Sequence, residues 1–419
     1  MDKKRIPLLL VSVALIGVCG LCALTVYGTY AWFNTRADFR FFDLMNVSAS
    51  MTETHTYDAK STLILDTDSG DITILPGKGD TIEVEMVKTG WGTDQAEAEN
   101  AANAIRVAVQ ETGETLKFTF NRPDQFGIGI SRGGSDSVDF TIRVPADTAI
   151  EIEAGFGDVS ITGLTQKIDT EVDFGSLTVE NIEAGENSIV LVTSFGDLRA
   201  ENIQGQDIRL KSSNGLITGT DLSATGLLKI DNSFGSIRLT GLRGVQLTIR
   251  SDNGTIAVSE GEVTGALAIT NSFGDMMISD FGAESYTLAS DNGKIDVHGA
   301  TGLVQATNRF GDIEITHGVN VTLDLKSDNG LVAFSGTLNP EAAHTLKNSF
   351  GNIVLTLPED SAFDLSLETS FGQIESEIPV TLTNTIKETA WDAEINGGGA
   401  RITAKTDNGN ISLRVLAEE

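Results

Sequence analysis

Along most of this chain a carboxylate recurs beside a glycine at a nearly constant interval. Asp252, Asp291 and Asp328 each precede Asn-Gly, while Asp158, Asp197, Asp275 and Asp312 each follow Phe-Gly. Carboxylates stacked at a fixed repeat are the chemistry of an oxygen-seeking cation, Ca²⁺ above all. A plainer role competes, since Asp and Asn side chains routinely bond the amides of the turns they occupy. The Gly-Gly-x-Gly-x-Asp run of calcium-binding solenoids is missing. The turn role is therefore the expected one, and no metal ligand or cofactor site is assigned. Phe195, Phe234, Phe273, Phe310 and Phe350 hold the matching place before glycine. Exposed, they would form an aromatic strip for glycans. The burial preference of large rings favours an internal stack filling one edge instead.

Catalysis would need a local cluster that breaks the repeat, such as paired carboxylates with a basic neighbour. No such cluster stands out. His55, His298, His317 and His344 are scattered and suggest neither a metal set nor a triad. There is no Gly-x-Ser-x-Gly elbow and no phosphate-cradling glycine loop. No catalytic residue is assigned and the chain is not expected to be an enzyme; a polysaccharide-acting β-helix enzyme is the lesser alternative. The formal net charge of -30 repels nucleic acid and anionic headgroups, and its simplest consequence is solubility.

The glycines that carry these motifs imply how the chain is built. Gly157, Gly196, Gly235, Gly274, Gly311 and Gly351 follow Phe, while Gly215, Gly254, Gly293 and Gly330 follow Asn. Turns recur about every 20 residues and their chemistry about every 39, the signature of a solenoid whose repeats bury their apolar faces only by stacking. Between turns lie short alternating runs such as LAIT, YTLAS and KIDVH, of strand length and period. An antiparallel sandwich is the second architecture considered, but it has no need of a two-turn period. If like corners stack, a coil takes about 39 residues, with four short strands and the Phe-Gly and Asn-Gly turns in separate columns. Gly235, Gly274 and Gly311 would then be successive neighbours.

Upstream, STLILDT, GDITILP and TIEVEMV alternate as half-buried strands. TDQAEAENAANAI predicts a helix, with Asp94 and Glu97 placed as a capping box. IRVAVQ and TLKFTF around Glu-Thr-Gly-Glu predict a hairpin, followed by the polar, Gly-rich loop NRPDQFGIGISRGGSDS. From Val138 the run VDFTIRVPADTAIEIEAGFGDVSITGL, together with the upstream helix and hairpin, resembles the bacterial putative-adhesin family of β-strand-repeat proteins over residues 61 to 416. That resemblance implies an all-β extracytoplasmic repeat domain and relatives tied to adhesion or envelope-stress responses. It brings no catalytic residues to carry over.

Ile6 to Phe33 holds no charge, and a helix needs about 20 apolar residues to span a bilayer. Lys3, Lys4 and Arg5 precede it, which places the N-terminus in the cytoplasm and the rest outside. Tyr27, Tyr30 and Trp32 suit the outer headgroup layer. A cleaved signal peptide is the competing reading, though its apolar region is shorter. Cys19 and Cys22 form C-x-x-C inside this segment, away from any thioredoxin-like context.

The expected organisation is a cytoplasmic tail (1–5), a transmembrane helix (6–33), a juxtamembrane linker (34–60), N-terminal strands, helix and hairpin (61–145), and a repetitive β-solenoid (146–419). The fold class is all-β: a parallel, β-helix-like solenoid with one short helix near its N-terminal end, preceded by a single transmembrane helix. The expected function is a membrane-anchored surface or envelope interaction module, adhesin-like, with an envelope glycan or protein as partner and no nucleic acid. An accessory sensor of envelope stress working through a membrane partner is the alternative.

Overall fold

The computed structural model describes residues 47–122, 136–383 and 387–417. The transmembrane segment expected at 6–33 and most of the Gly-rich loop expected after Asn121 lie outside them. Among the described residues no helix is long and apolar enough to cross a membrane.

The described residues fall into two compact units, 47–50 with 89–104 and 136, and 51–88 with 105–122, 137–383 and 387–417. In the smaller unit the expected helix runs over Gln95–Ala104. Asp94 caps it by accepting the Glu97 amide (2.9 Å), and the Glu97 carboxylate reaches back to the Thr93 amide (3.0 Å). The helix buries Ala98 and Ala102. Gly90 and Gly92 allow close approach, because a Cβ on either would lie 2.1 Å from the Ala102 nitrogen and 2.5 Å from that of Ala98.

The larger unit is a parallel β-solenoid. Each coil runs along one strand, turns at a glycine, runs along a second strand and returns. Ile208–Asn214, for instance, pairs in parallel with the 228–234 stretch of Ile217–Phe234, which pairs in turn with the 246–253 stretch of Ile237–Asn253. Alternation sends every second side chain inward, and like residues stack in register: Ile217, Ile237, Ile256, Met276 and Ile295 form one fully buried inner column. A second bend comes six residues after each corner glycine from Gly157 to Gly311. There Asn181, Asn202, Asp221, Glu260, Asp280 and His317 hold φ between 51° and 58°, with Gly163, Gly241 and Gly299 at the equivalent place. Small polar residues and glycine tolerate this left-handed conformation best.

Three expectations are corrected. A coil takes about 20 residues, not 39. The corner glycines stack in the single order Gly70, Gly157, Gly175, Gly196, Gly215, Gly235, Gly254, Gly274, Gly293, Gly311, Gly330, Gly351, Gly409, Gly372, so Gly254 lies between Gly235 and Gly274. The stack also begins before residue 146. Thr62–Thr67 and Ile72–Pro76 form a coil inserted between Thr115–Phe120 with Ser137–Val144 on one side and Ala149–Phe156 with Val159–Thr162 on the other. Finally, Val47–Asp58, inside the segment expected as linker, is a strand.

Both ends fold out of chain order. At the C-terminal end Ala400–Asn408 and Ile411–Val415 slot between the His344–Leu357 coil and Phe363–Ser376. Antiparallel strands then close the stack: Ala108–Thr112 pairs with Thr115–Phe120, the expected hairpin, and Ala390–Ile395 pairs with Phe363–Phe371. Covered ends leave fewer unpaired amides for edge-to-edge association.

Candidate functional site

From Gly157 onward, the residue before each corner glycine faces outward. In stacking order these residues are Phe156, Phe174, Phe195, Asn214, Phe234, Asn253, Phe273, Asn292, Phe310, Asn329, Phe350, Asn408 and Phe371, one line of rings and amides along a single edge. The internal aromatic stack expected from burial preference is not formed, because all of these rings are exposed. Two consecutive residues point outward where the chain turns, so the alternation that hides every second side chain is suspended at the corner.

The corner is held by three devices. The first is the glycine itself. From Gly157 onward, a Cβ at any member of the column would lie between 1.9 and 2.4 Å from the carbonyl oxygen of the glycine one layer back. Gly254 also has φ +135°, which L side chains rarely adopt.

The second is an inner column two residues before the ring or amide: Thr193, Ser212, Asn232, Ser251, Asn271, Ser290, Asn308, Ser327 and Asn348, all buried. Asn232 Nδ2 donates to the carbonyls of Gly215 and Gly235, at 3.0 Å each, and Asn271 Nδ2 to those of Gly254 and Gly274, at 2.9 Å each. Asn308 and Asn348 likewise reach back to Gly293 and Gly330. An amide NH₂ carries two donors, so one Asn serves two coils and the intervening coil needs only a small Ser. This gives the two-turn period its physical reason.

The third device is the residue after the glycine. Asp158, Asp197, Asp275 and Asp312 accept the backbone amides of Ser176, Leu216, Lys294 and Leu331 in the next coil, at 2.7 to 2.9 Å. These are turn roles, as expected, though the amide belongs to the neighbouring coil. Asp252, Asp291 and Asp328 occur in alternate coils, and Asp291 pairs with Arg309 at 3.1 Å. Among the described residues no group of three or more His, Cys, Asp or Glu side chains could hold a metal ion.

The rings fall into two regimes. Phe156, Phe174 and Phe195 occupy successive coils and stack face to face, with centroids 4.8 and 4.9 Å apart and planes within 7° and 2° of parallel. Beyond them rings alternate with Asn, and exposure rises from 45–49% to 55–58% for Phe234, Phe273, Phe310 and Phe350. Beside the alternating stretch lies a shallow cavity of about 300 Å³, lined by Thr270, Ala289, Thr307, Asp291 and Arg309 among others. The same face carries Glu151, Glu153, Asp169 and Glu171 toward the N-terminal end, where Lys167 bridges Glu151 (3.0 Å) and Asp169 (3.3 Å). The Glu151 hydrogen bond raises the Lys167 pKa above the ordinary lysine value against the opposing effect of burial.

Of the four histidines, His298 and His317 lie one coil apart with ring centroids at 4.4 Å, a proximity visible in sequence only once the coil length is known. His344 is buried in the inner layer.

The family model described as Toastrack DUF4097 matches residues 61–298 and again 246–414. No curated protein matches the chain. Among solved structures, a putative adhesin from Bacteroides fragilis is 17% identical, with 58% of this chain and 97% of that one covered at a TM-score of 0.31. A putative cell adhesion protein from Clostridium sporogenes is 7% identical, with 88% and 100% covered at a TM-score of 0.17.

Proposed function

We propose that this chain, which belongs to the Toastrack DUF4097 family, is an adhesin-like interaction module anchored in a membrane. Residues 1–5 stay in the cytoplasm, 6–33 cross the bilayer, and the β-solenoid stands on the extracytoplasmic side with its Phe/Asn edge as the contact surface. It binds rather than catalyses. The observation that carries this reading is the ladder itself: Phe234, Phe273, Phe310 and Phe350 are each more than half exposed on a corner held by its own glycines and buried amides. Rigid aromatic groups are favoured contact residues because they offer large area at low entropic cost. Equal contacts repeated along one line reinforce one another through effective concentration. The anchor rests on the uncharged run from Ile6 to Phe33 behind Lys3, Lys4 and Arg5.

The direct experiment retains the full, detergent-solubilised chain on envelope preparations, with and without Ca²⁺. Retention is expected to fall sharply in a Phe234→Ala/Phe273→Ala/Phe310→Ala variant that melts like the wild type, and equal retention of the two would remove the contact surface. For the anchor, Leu15→Arg is expected to deplete the membrane fraction, since a central Arg costs about 2.5–3.5 kcal/mol on insertion scales. A mature N-terminus near Trp32 would identify a cleaved signal instead.

A further inference from the structure

We infer that the ladder between Phe234 and Phe350 binds an extended, uncharged, β-1,4-linked polysaccharide lying along the stack axis, one disaccharide to every two coils. The inference rests on the contact surface proposed above and names its ligand class.

The spacing of the rings is the first ground. Packing does not require it: Phe156, Phe174 and Phe195 show that the corner accepts a ring in every layer. The buried Asn and Ser residues set a two-coil period inside the stack, but the rings lie outside it and are exposed in either regime. Separating the rings by Asn leaves each more exposed, which a packing role would not favour. Adjacent strands in a sheet are about 4.8 Å apart, so alternate rings recur at about 9.6 Å. In an extended β-1,4-linked chain each sugar is turned over relative to the last. The same sugar face therefore recurs once per disaccharide, a length close to this two-layer spacing.

The second ground is the chemistry between and beside the rings. A pyranose has an apolar C–H face and a rim of hydroxyls. Phe meets the first, and the intervening Asn253, Asn292 and Asn329 bring both donor and acceptor to the second. Alongside, Thr270, Ala289 and Thr307 leave a shelf of small side chains, edged by the Asp291–Arg309 pair and by Lys326 and Asp328, which can bond sugar hydroxyls. A chain net charge of -30 disfavours a polyanionic polymer.

The test is affinity gel electrophoresis of the full chain in detergent through hydroxyethyl cellulose (neutral, β-1,4), carboxymethyl cellulose (the same backbone, anionic) and dextran (neutral, α-1,6). Retardation is expected with the first only. It should weaken about tenfold in Phe273→Ala/Phe310→Ala and survive in Phe273→Trp/Phe310→Trp. Phe156→Ala, in the contiguous stack, should leave it unchanged, and circular dichroism melts confirm that each variant is folded. Affinity for soluble oligosaccharides should climb up to about eight sugars, one disaccharide for each of the four alternate rings. Absence of retardation by hydroxyethyl cellulose, equal retardation of wild type and double alanine variant, or equal retardation by dextran each overturns the inference. If the alanine variants lose envelope retention while no polysaccharide retards the wild type, the ligand class is wrong and the contact surface stands. Concentration-dependent sedimentation of the wild type but not the double variant, without polymer, would overturn the inference in favour of a second copy of the chain.

Discussion

At Asn271 two hydrogen bonds decide the local structure. Its amide bridges the carbonyls of Gly254 and Gly274 from a fully buried position. Asn271→Ala is expected to cost about 1–3 kcal/mol, the penalty for buried carbonyls left unpaired, read as a lowered urea midpoint at unchanged slope. Gly254→Ala should cost upwards of about 3 kcal/mol, because positive φ and a backbone clash add. Ser272→Ala, one residue away on the outer face, is expected to stay within about 0.5 kcal/mol.

At the scale of the element, the His344–Phe350 strand brings a histidine into the inner layer, where neighbouring coils carry aliphatic residues. Its Nδ1 accepts the Leu323 amide (3.3 Å), and its Nε2–H donates to the Asn339 carbonyl (2.9 Å). The ring is therefore neutral, and burial holds its pKa below the ordinary value despite the opposing Asn339 hydrogen bond. The unfolded chain takes up a proton near pH 6.5, whereas the folded chain resists until a lower pH. The stability tied to this group is thus complete above about pH 6.5 and is lost as pH falls through the folded value. The melting temperature is expected to drop between pH 7.5 and 5.5, with a shallower drop in His344→Gln. The short helix gives a second test at this scale: Asp94→Ala should weaken its cap by about 1 kcal/mol, seen as faster amide exchange confined to Gln95–Ala104.

In the larger unit as a whole, each Asn-bearing coil supplies donors for the coil behind it, so the stable increment is a pair of coils. Deleting Ser236–Gly274 joins the Phe234 coil to the Asn292 coil and keeps the alternation. Deleting Ser236–Gly254 sets Asn232 directly against Asn271, two amides competing for one carbonyl and for space sized for Ser. The longer deletion is expected to melt within a few degrees of the wild type, while the shorter one melts well below it. The reverse order would dismiss the shared-amide account of the period.

Strand alternation, the 20-residue turn, the capped helix and the hairpin at Gly113 are legible in the sequence because each depends on neighbours a few residues apart: alternation sets the faces, Asp94 and Glu97 set the cap, and glycine sets the turn. The coil length was not legible. The same glycine spacing fits a coil of one turn or of two, and stacking like on like favours two; the inner Asn, by serving two layers at once, lets unlike corners stack. Nor could the sequence show that Phe234 and Phe273 face solvent, because hydrophobicity predicts burial and only the corner's break in alternation reverses it. The out-of-order coils at 62–76 and 400–415 also belong to the tertiary structure alone. What places them is an open edge offering unpaired amides and apolar columns to whichever segment of matching pattern can reach it, and reach is a property of the folded chain.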